Sequence, residues 1–341
     1  MGVDMSSTSA LVISVAAWTV LSLVASSVLI VRLERLGGHF GVTEASLGLI
    51  AALAADTPEI TAAVTALSRG QHDVGIGVVL GSNVFNLAAL LGLSAVVAGR
   101  ITFHRSVVLV EGAVGVWLAL VCLVVVLGPV PPALGLAAAL VVFVPYTVLT
   151  TMHPARRAQL PIPRPVRALL LAGVADAELD VAAAEHDVAQ ISDDQVHPRR
   201  DAVQAAIAVL VVVFASVRMV TGMTDLGARW GLSSAVVGAV ILAAMTSLPN
   251  AVAAVYLARR GRGAATLSEA MNSNTINSVV GFLLPATLIG LGTVSAASRS
   301  VAGWYVALTL ATLATAYLLR GVTRLAGLAV IAAYAVFVAL I

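Results

Sequence analysis

The chain contains one polar pattern twice, and both copies lie within strongly apolar sequence. The first copy reads ADTPEITAAVTALSRG and then GSNVFN, within residues 55–86, and the second reads TSLPNAVAAVYLARRG and then NSNTIN, within residues 246–277. The prolines and the last asparagines of the two copies pair at one offset (249 − 58 = 191 and 277 − 86 = 191). Such sustained register indicates an internal duplication, which restricts the fold to architectures built from two similar halves.

The amino-acid composition indicates the environment in which these two halves fold. The chain has 341 residues, of which 60% are hydrophobic and 11% are charged, whereas soluble domains carry roughly 25% charged residues. Apolar runs long enough to cross about 30 Å of hydrocarbon recur along the chain. We therefore expect an all-α integral membrane protein with about ten transmembrane helices, near residues 10–33, 42–66, 73–98, 104–128, 131–152, 202–224, 233–258, 265–290, 301–320 and 324–341.

Residues 153–200 differ in character from the rest of the chain. They are rich in Pro and Arg and then acidic, which predicts a solvated linker. The linker separates a first five-helix repeat, residues 1–152, from a second, residues 201–341. An odd number of spans in each repeat gives the repeats opposite orientations, the inverted topology common in secondary transporters.

The distribution of Arg predicts the orientation in the membrane. With the N-terminus outside, fifteen Arg fall in cytoplasmic loops and three fall in external loops: Arg69, Arg229 and Arg299. The positive-inside rule then predicts that both termini are external and the linker is cytoplasmic. We expect a multi-pass protein of the plasma membrane.

Two carboxylates are predicted in the middle of the second span. Asp56 and Glu59 flank Pro58, and an intramembrane acid usually faces a cavity or a cation. Pro58 has no N–H for the carbonyl group of Ala54, so a kinked helix could offer that oxygen to an ion. Pro249 has the same relation to Met245 in the second copy.

Neutral oxygens repeat around these acids. Ser82 and Asn86 lie four residues apart on one helical face, and Ser273 and Asn277 repeat that spacing. Carboxylate, amide and hydroxyl oxygens on four helices predict a site for a hard cation. The candidate ligands are Glu59, Asp56, Thr57, Ser82, Asn86, Thr246, Ser247, Asn250, Ser273 and Asn277. Glu269 lies on the face of Ser273 and Asn277 and is a candidate for the access pathway.

Several function classes are disfavoured. The spans hold no His or Cys cluster for zinc or copper and no nucleophile–base set, so we expect neither an enzyme nor a bound cofactor. Cys122 is expected to pack in an apolar run. The formal net charge of +2 indicates no nucleic-acid partner, and no protein partner can be deduced. The expected partners are inorganic cations and the lipid bilayer.

The paired motifs resemble the alpha-repeats of the sodium/calcium exchanger family, within the calcium:cation antiporter superfamily. That family carries a G-T-S-x-P-E type motif and then G-S-N-x-x-[ND], and repeats both in inverted form. The resemblance implies a ten-span plan and alternating access, in which the first and sixth spans slide past the rest. Three positions depart from the pattern: Asn250 and Asn277 stand where the family commonly has acids, and Asp56 stands where it has Ser or Thr.

The resemblance implies antiport of Ca²⁺ against Na⁺ at one central site, with both ions bound in turn. A monovalent or proton-coupled cation exchanger is the alternative, with Asp56 and Glu59 carrying the protons. A membrane scaffold without transport is a third reading, which the intramembrane carboxylates disfavour.

Overall fold

The structure is a computed structural model that describes residues 5–39, 52–152, 154–157, 159–161, 163–164, 167–173 and 197–341. Within these ranges the regular structure is helical apart from one short ribbon. The first half contains α1 (Met5–His39), α2 (Thr57–Ser68), α3 (His72–Ala98), α4 (Arg105–Leu127) and α5 (Pro132–Thr151). The second half contains α6 (Pro198–Trp230), α7 (Ser234–Arg259), α8 (Gly263–Ile276, Asn277–Leu283 and Leu284–Ile289), α9 (Ala296–Leu319) and α10 (Arg324–Leu340).

Seven of the described helices are long and apolar enough to cross a membrane: α1, α3, α4, α5, α6, α7 and α9. Of the remaining three, α10 is apolar but shorter, and α8 contains the polar second motif. The predicted span 42–66 lies partly outside the described residues, which resume at residue 52. An all-helical membrane fold is thus confirmed, and the count of ten spans stays a prediction.

Helix boundaries differ from the expected ones mainly at the linker. Helix α6 begins at Pro198, inside the predicted linker, because its first turn is polar and carries no hydropathy signal. Asp201 in that turn accepts a hydrogen bond from the backbone N–H of His197 (3.2 Å) and thereby supports the helix start. A single helical turn, Pro154–Arg157, follows α5, and most of the linker lies outside the described residues.

Helix α3 lies at the centre of the fold, and almost every residue between Val74 and Asn86 is buried. It packs against α7 through glycines, so that the two backbones touch. A Cβ atom built on Gly77 would lie 2.7 Å from the backbone N of Ala239, and one on Gly81 would lie 2.3 Å from its carbonyl oxygen. Small residues allow this close approach of two helices within a membrane.

We expect Gly81→Val to prevent recovery of folded protein. Overfilling a core usually costs about 1–3 kcal/mol, and here the obstructing atoms are backbone, which cannot rotate away. Gly303→Ala in α9 is the matched control, because a Cβ at Gly303 meets nothing within 4 Å. The measurements are the yield of monodisperse protein in detergent and the midpoint of thermal unfolding. A Gly81→Val protein as stable as the control would contradict the close packing of α3 and α7.

The two halves meet at the second motif of each copy. Asn83 donates its side-chain amide to the carbonyl oxygen of Asn274 (3.3 Å), and Asn274 donates to the carbonyl oxygen of Asn83 (3.1 Å). The residues are separated by the repeat offset (274 − 83 = 191). Immediately after each motif the helix widens to π-helical geometry, at Leu87–Leu93 in α3 and at Asn277–Leu283 in α8, and such widening frequently occurs at functional sites.

Two further contacts join the halves on the linker side. Strand β1 (Arg100–Thr102) pairs antiparallel with strand β2 (Gly321–Thr323). Helices α1 and α6 pack along their length, and Arg32 Nη1 forms an ion pair with Asp201 Oδ1 at 3.1 Å. Asp201 is 2% exposed, so this pair connects the ends of α1 and α6 in a largely desolvated place.

Candidate functional site

Polar side chains from α2, α7 and α8, together with Asp56 just before α2, converge in one buried cluster. Asp56 Oδ1 accepts hydrogen bonds from Asn250 Nδ2 (2.8 Å) and from Ser273 Oγ (2.7 Å). Glu59 Oε1 accepts a hydrogen bond from Ser247 Oγ (2.9 Å). Both carboxylates of the first copy are thus held by side chains of the second copy, so the two halves build the cluster jointly.

Helix α3 completes this arrangement from the opposite side. Asn86 Nδ2 donates to Ser273 Oγ (3.0 Å) and to Asn274 Oδ1 (3.0 Å). Ser82 Oγ lies 3.5 Å from the carbonyl oxygen of Ala243 in α7, to which it donates. Ser273 therefore bridges Asp56 and Asn86, which come from different helices.

Five oxygens of this cluster are buried and have no hydrogen-bond partner among the described residues. They are Asp56 Oδ2, Glu59 Oε2, Asn86 Oδ1, Asn250 Oδ1 and Asn277 Oδ1. Unpaired buried acceptors are destabilising, and all five are electron-rich oxygens. Two of them are carboxylate oxygens and three are amide oxygens, and they come from four helices. Oxygen ligands of this kind fit a hard cation of the Ca²⁺ or Na⁺ type.

The cluster is closed to both sides in this conformation. Asp56, Glu59, Ser82, Asn86 and Asn277 are 0% exposed. A cation held here would be occluded, and one helix or more must move before it can leave. Within the described part of the chain, no group of three or more His, Cys, Asp or Glu side chains could hold a metal ion, so the neutral oxygens matter to this site.

Three of the predicted residues make no hydrogen bond to the cluster among the described residues, although the charge of Glu269 interacts with that of Asp56. The hydroxyl of Thr57 donates to the carbonyl oxygen of Leu53 (3.0 Å) in its own helical turn and does not join the cluster. The hydroxyl of Thr246 is buried but donates to Leu242 and Ala243 (3.0 and 3.2 Å). A threonine hydroxyl in a helix has this local alternative, which spacing does not reveal. Glu269 is half-buried, on the side of α8 nearer the linker.

The carbonyl oxygen freed by Pro58 has a protein partner, contrary to the expectation that it faces an ion. Ser26 Oγ of α1 donates to Ala54 O at 3.1 Å. The serine at the matching position of α6, Ser216, is buried and has no partner in the described residues. Sequence reasoning missed Ser26, because a lone serine in an apolar run carries no signal.

Asn83 and Asn274 were also absent from the predicted ligand set, although both belong to the repeated motif. The two residues are separated by the repeat offset of 191 residues, and this pattern could have identified them from the sequence. Each donates to the other's backbone carbonyl oxygen, Asn83 Nδ2 donates to Ser278 Oγ as well (3.1 Å), and Asn274 Oδ1 accepts a hydrogen bond from Asn86 of the cluster. Their role is to hold α3 against α8.

Comparisons with known proteins identify a family that this chain matches along most of its length. The profile of the sodium/calcium exchanger protein family matches residues 10–153 and 201–341. The putative antiporter CaxA of Alkalimonas amylolytica is 36% identical over 86 residues, which are 24% of this chain and 27% of CaxA. Inner membrane protein YrbG of Escherichia coli (strain K12) is 31% identical over 75 residues, 22% of this chain and 23% of YrbG. The matched segments thus span about a quarter of these relatives.

Solved structures share the fold at low sequence identity. The structure of the H⁺/Ca²⁺ exchanger CAX aligns over 97% of this chain and 85% of that chain, with a TM-score of 0.69 and 14% identity. The sodium-calcium exchanger NCX_Mj aligns over 98% of this chain and 99% of that chain, with a TM-score of 0.59 and 18% identity.

The described helices and the buried polar cluster define a multi-pass, all-helical integral membrane protein with polar groups at its centre. Because the family match covers both halves of the molecule, the chain belongs to the sodium/calcium exchanger protein family.

Proposed function

We propose that this protein exchanges Ca²⁺ for Na⁺ by alternating access at the cluster around Asp56 and Glu59. The observation that carries the proposal is the set of five unpaired, buried oxygens on α3, α7 and α8 and at the start of α2. Two of these oxygens belong to the carboxylates of Asp56 and Glu59, which have no basic side chain as an ion-pair partner within the described residues. A bound cation would supply the missing positive charge.

The proposed ligand set contains Asp56, Glu59, Ser82, Asn86, Ser247, Asn250, Ser273 and Asn277. Glu59 and Asp56 supply negative charge, and the remaining residues supply neutral oxygens or orient the acids. Because both acids belong to the first copy, the negative charge of the site is one-sided. A divalent ion would lie close to these acids, with α7 and α8 offering mainly neutral groups.

Proton coupling is the second candidate, and a specific observation favours it. CAX, a structure described as an H⁺/Ca²⁺ exchanger, has a higher TM-score to this chain than NCX_Mj has. A buried carboxylate that loses its cation can take up a proton instead. In this variant of the mechanism, Asp56 and Glu59 bind protons after Ca²⁺ has left and carry them in the opposite direction.

We further propose two inverted five-helix repeats, with the linker cytoplasmic and both termini outside the plasma membrane. The reciprocal contact of Asn83 and Asn274 supports this arrangement, because exchange of equivalent contacts is what a two-fold axis generates. The π-helical segments at equivalent places in α3 and α8 support it too.

Ion flux in liposomes tests the exchange directly. Purified protein reconstituted in vesicles should take up Ca²⁺ when a Na⁺ gradient or a pH gradient is imposed, with each gradient varied separately. Uptake driven by Na⁺ alone supports the leading proposal, and uptake driven by pH alone selects the proton-coupled variant. Absence of Ca²⁺ uptake under every gradient would contradict both.

A reporter fused within the linker, near residue 187, should be accessible only from the cytoplasm, and one at the C-terminus only from outside. The Arg-rich loops provide the physical reason. Cysteine labelling with a membrane-impermeant reagent gives an independent measurement, with Cys122 replaced by Ala to remove the buried native thiol. If both reporters register on the same side, the inverted-repeat proposal is wrong.

A further inference from the structure

A third buried carboxylate lies outside the central cluster. Glu111 of α4 is 5% exposed, and it has no contact with Asp56 or Glu59. Its Oε1 accepts a hydrogen bond from Ser268 Oγ (2.9 Å), and its Oε2 lies 2.8 Å from the hydroxyl oxygen of Tyr146. Tyr146 also lies 2.9 Å from Asn272 Oδ1. We call these four residues, Glu111, Tyr146, Ser268 and Asn272, the Glu111 cluster.

This cluster lies between the central site and the linker side of the membrane. Glu111 is six residues from the start of α4, and Tyr146 is five residues from the end of α5. At 1.5 Å of rise per residue, these positions are about 8–9 Å from the helix ends. Asn272 directly precedes Ser273, which holds Asp56. A cation that leaves toward the linker would pass close to Glu111.

With Asn272 oriented so that its Oδ1 faces Tyr146, the cluster is one proton short. A phenol has a single hydrogen to donate, yet Tyr146 faces acceptor oxygens of both Glu111 and Asn272. A proton on Glu111 completes the chain, because the acid then donates to Tyr146 and Tyr146 donates to Asn272. No Arg ion pair with Glu111 exists among the described residues, and an uncompensated carboxylate inside a membrane is strongly unfavourable.

Titratable groups occur on the elements packed against α4. Helices α5, α8 and α9 contact α4, and their titratable residues are Tyr146, Glu269, Arg299, Tyr305 and Tyr317. The segment 167–173 also packs against α4, since a Cβ built on Gly173 would lie 2.9 Å from the carbonyl oxygen of Ser106, and it carries Arg167, which donates to the carbonyl oxygen of Leu160 (3.3 Å). Of these, Tyr146 alone hydrogen-bonds Glu111 in the described structure. Arg105, on α4 itself, instead donates to the carbonyl oxygen of Tyr317 (3.2 Å) and lies over its ring.

We propose that Glu111 is a proton-binding site on the linker side of the transport pathway, and that its proton must leave before a cation passes. In each cycle the O–H bond of Glu111 breaks and the proton goes to water at the linker-side mouth. The ionised carboxylate then attracts the incoming cation, and Glu111 takes a proton back once the cation has moved on. Charge is balanced at each step, and no other bond changes.

Infrared difference spectroscopy of the full-length protein in lipid tests proton binding without any transport assay. Between about pH 5 and pH 9, a range that covers perturbed carboxyl groups, wild type should show the C=O stretch of a protonated acid. Glu111→Gln should remove that band. Tyr146→Phe should shift it, since the acid keeps its proton but loses one partner. A band unchanged in both variants, or no such band in wild type, would overturn the proposal.

The link to transport rests on the proposed function and has its own measurement. Acidifying the linker side should slow wild-type Ca²⁺ uptake by up to about tenfold per pH unit, because one proton opposes each passage. In Glu111→Gln, the slope of the logarithm of the uptake rate against pH should be smaller by the equivalent of one proton. Asp225→Asn, which alters an exposed acid near the far end of α6, is the control and should match wild type.

The two measurements distinguish failure of the proposed exchange function from failure of the proposal for Glu111. If wild type carries no Ca²⁺ under any gradient, the proposed function is wrong, and the infrared result still decides whether Glu111 binds a proton. If wild type transports Ca²⁺ and the pH profile of Glu111→Gln superimposes on it, the gating role of Glu111 is wrong while the exchanger proposal stands.

Discussion

Glu59→Gln is expected to abolish transport of every cation while leaving the protein folded. Glu59 is fully buried, its Oε2 has no partner among the described residues, and its Oε1 binds Ser247. Gln keeps the size of the side chain and an oxygen for Ser247, so the loss is one unit of charge. At about 4 Å and an effective dielectric constant near 20, that charge is worth roughly 4 kcal/mol toward a monovalent ion, a loss of about a thousandfold in affinity.

Thr57→Val is the matched control, two residues earlier in the chain. Among the described residues, the hydroxyl of Thr57 binds the carbonyl oxygen of Leu53, four residues earlier, so flux should stay close to the wild-type value. The measurement is Ca²⁺ and Na⁺ flux in liposomes at equal protein incorporation. Near-normal flux in Glu59→Gln, or loss of flux in Thr57→Val with normal stability, would contradict the site described above.

Asn250→Asp should shift ion selectivity toward Ca²⁺. Asn250 donates to Asp56 at 2.8 Å, so an acid of the same shape would place a second carboxylate beside Asp56. An added negative charge attracts a divalent ion about twice as strongly as a monovalent ion at the same distance. We expect Ca²⁺ affinity to rise by at least about tenfold, equivalent to roughly 1.4 kcal/mol, and release of Ca²⁺ to slow.

The competing outcome is that the two acids share a proton, because a like charge nearby disfavours ionisation of both. Ca²⁺ and Na⁺ affinities measured across pH separate the two outcomes, since a shared proton suppresses the gain only in acid. Asn250→Ala, which removes the donor without adding charge, is the control and should not tighten Ca²⁺ binding. Ca²⁺ affinity unchanged at every pH in Asn250→Asp would show that Asn250 does not face the ion.

The fold class and the centre of the site could be predicted because their signals are strong. Long apolar runs admit few structures other than membrane helices, and the duplicated motif marked Asp56, Glu59, Ser273 and Asn250 as one group. The structure joins Asp56, Asn250 and Ser273 by hydrogen bonds, and Glu59 binds Ser247, which lies three residues before Asn250. The count of ten spans stays a prediction, because the second predicted span lies partly outside the described residues and α8 carries the polar motif.

Side-chain direction is what the sequence could not supply. Thr57 and Glu59 are equally close to Pro58, and only the packing of α2 against α7 decides that Glu59 enters the cluster. Nothing in the sequence marks Glu111 as part of a cluster, since its partners Tyr146 and Ser268 lie 35 and 157 residues away in the chain. Contacts at such separations leave no periodic pattern to detect.

If access alternates as proposed, the hydrogen bond from Ser26 to Ala54 makes its two directions unequal in energy. Ser216 occupies the counterpart position in the other half, at an offset (216 − 26 = 190) one residue shorter than that of the motifs, and it has no partner among the described residues. If α1 and α6 slide together, Ser26 must release its carbonyl oxygen as Ser216 approaches that of Met245. One hydrogen bond contributes about 1 kcal/mol, so these two serines bias the resting population toward one side of the membrane.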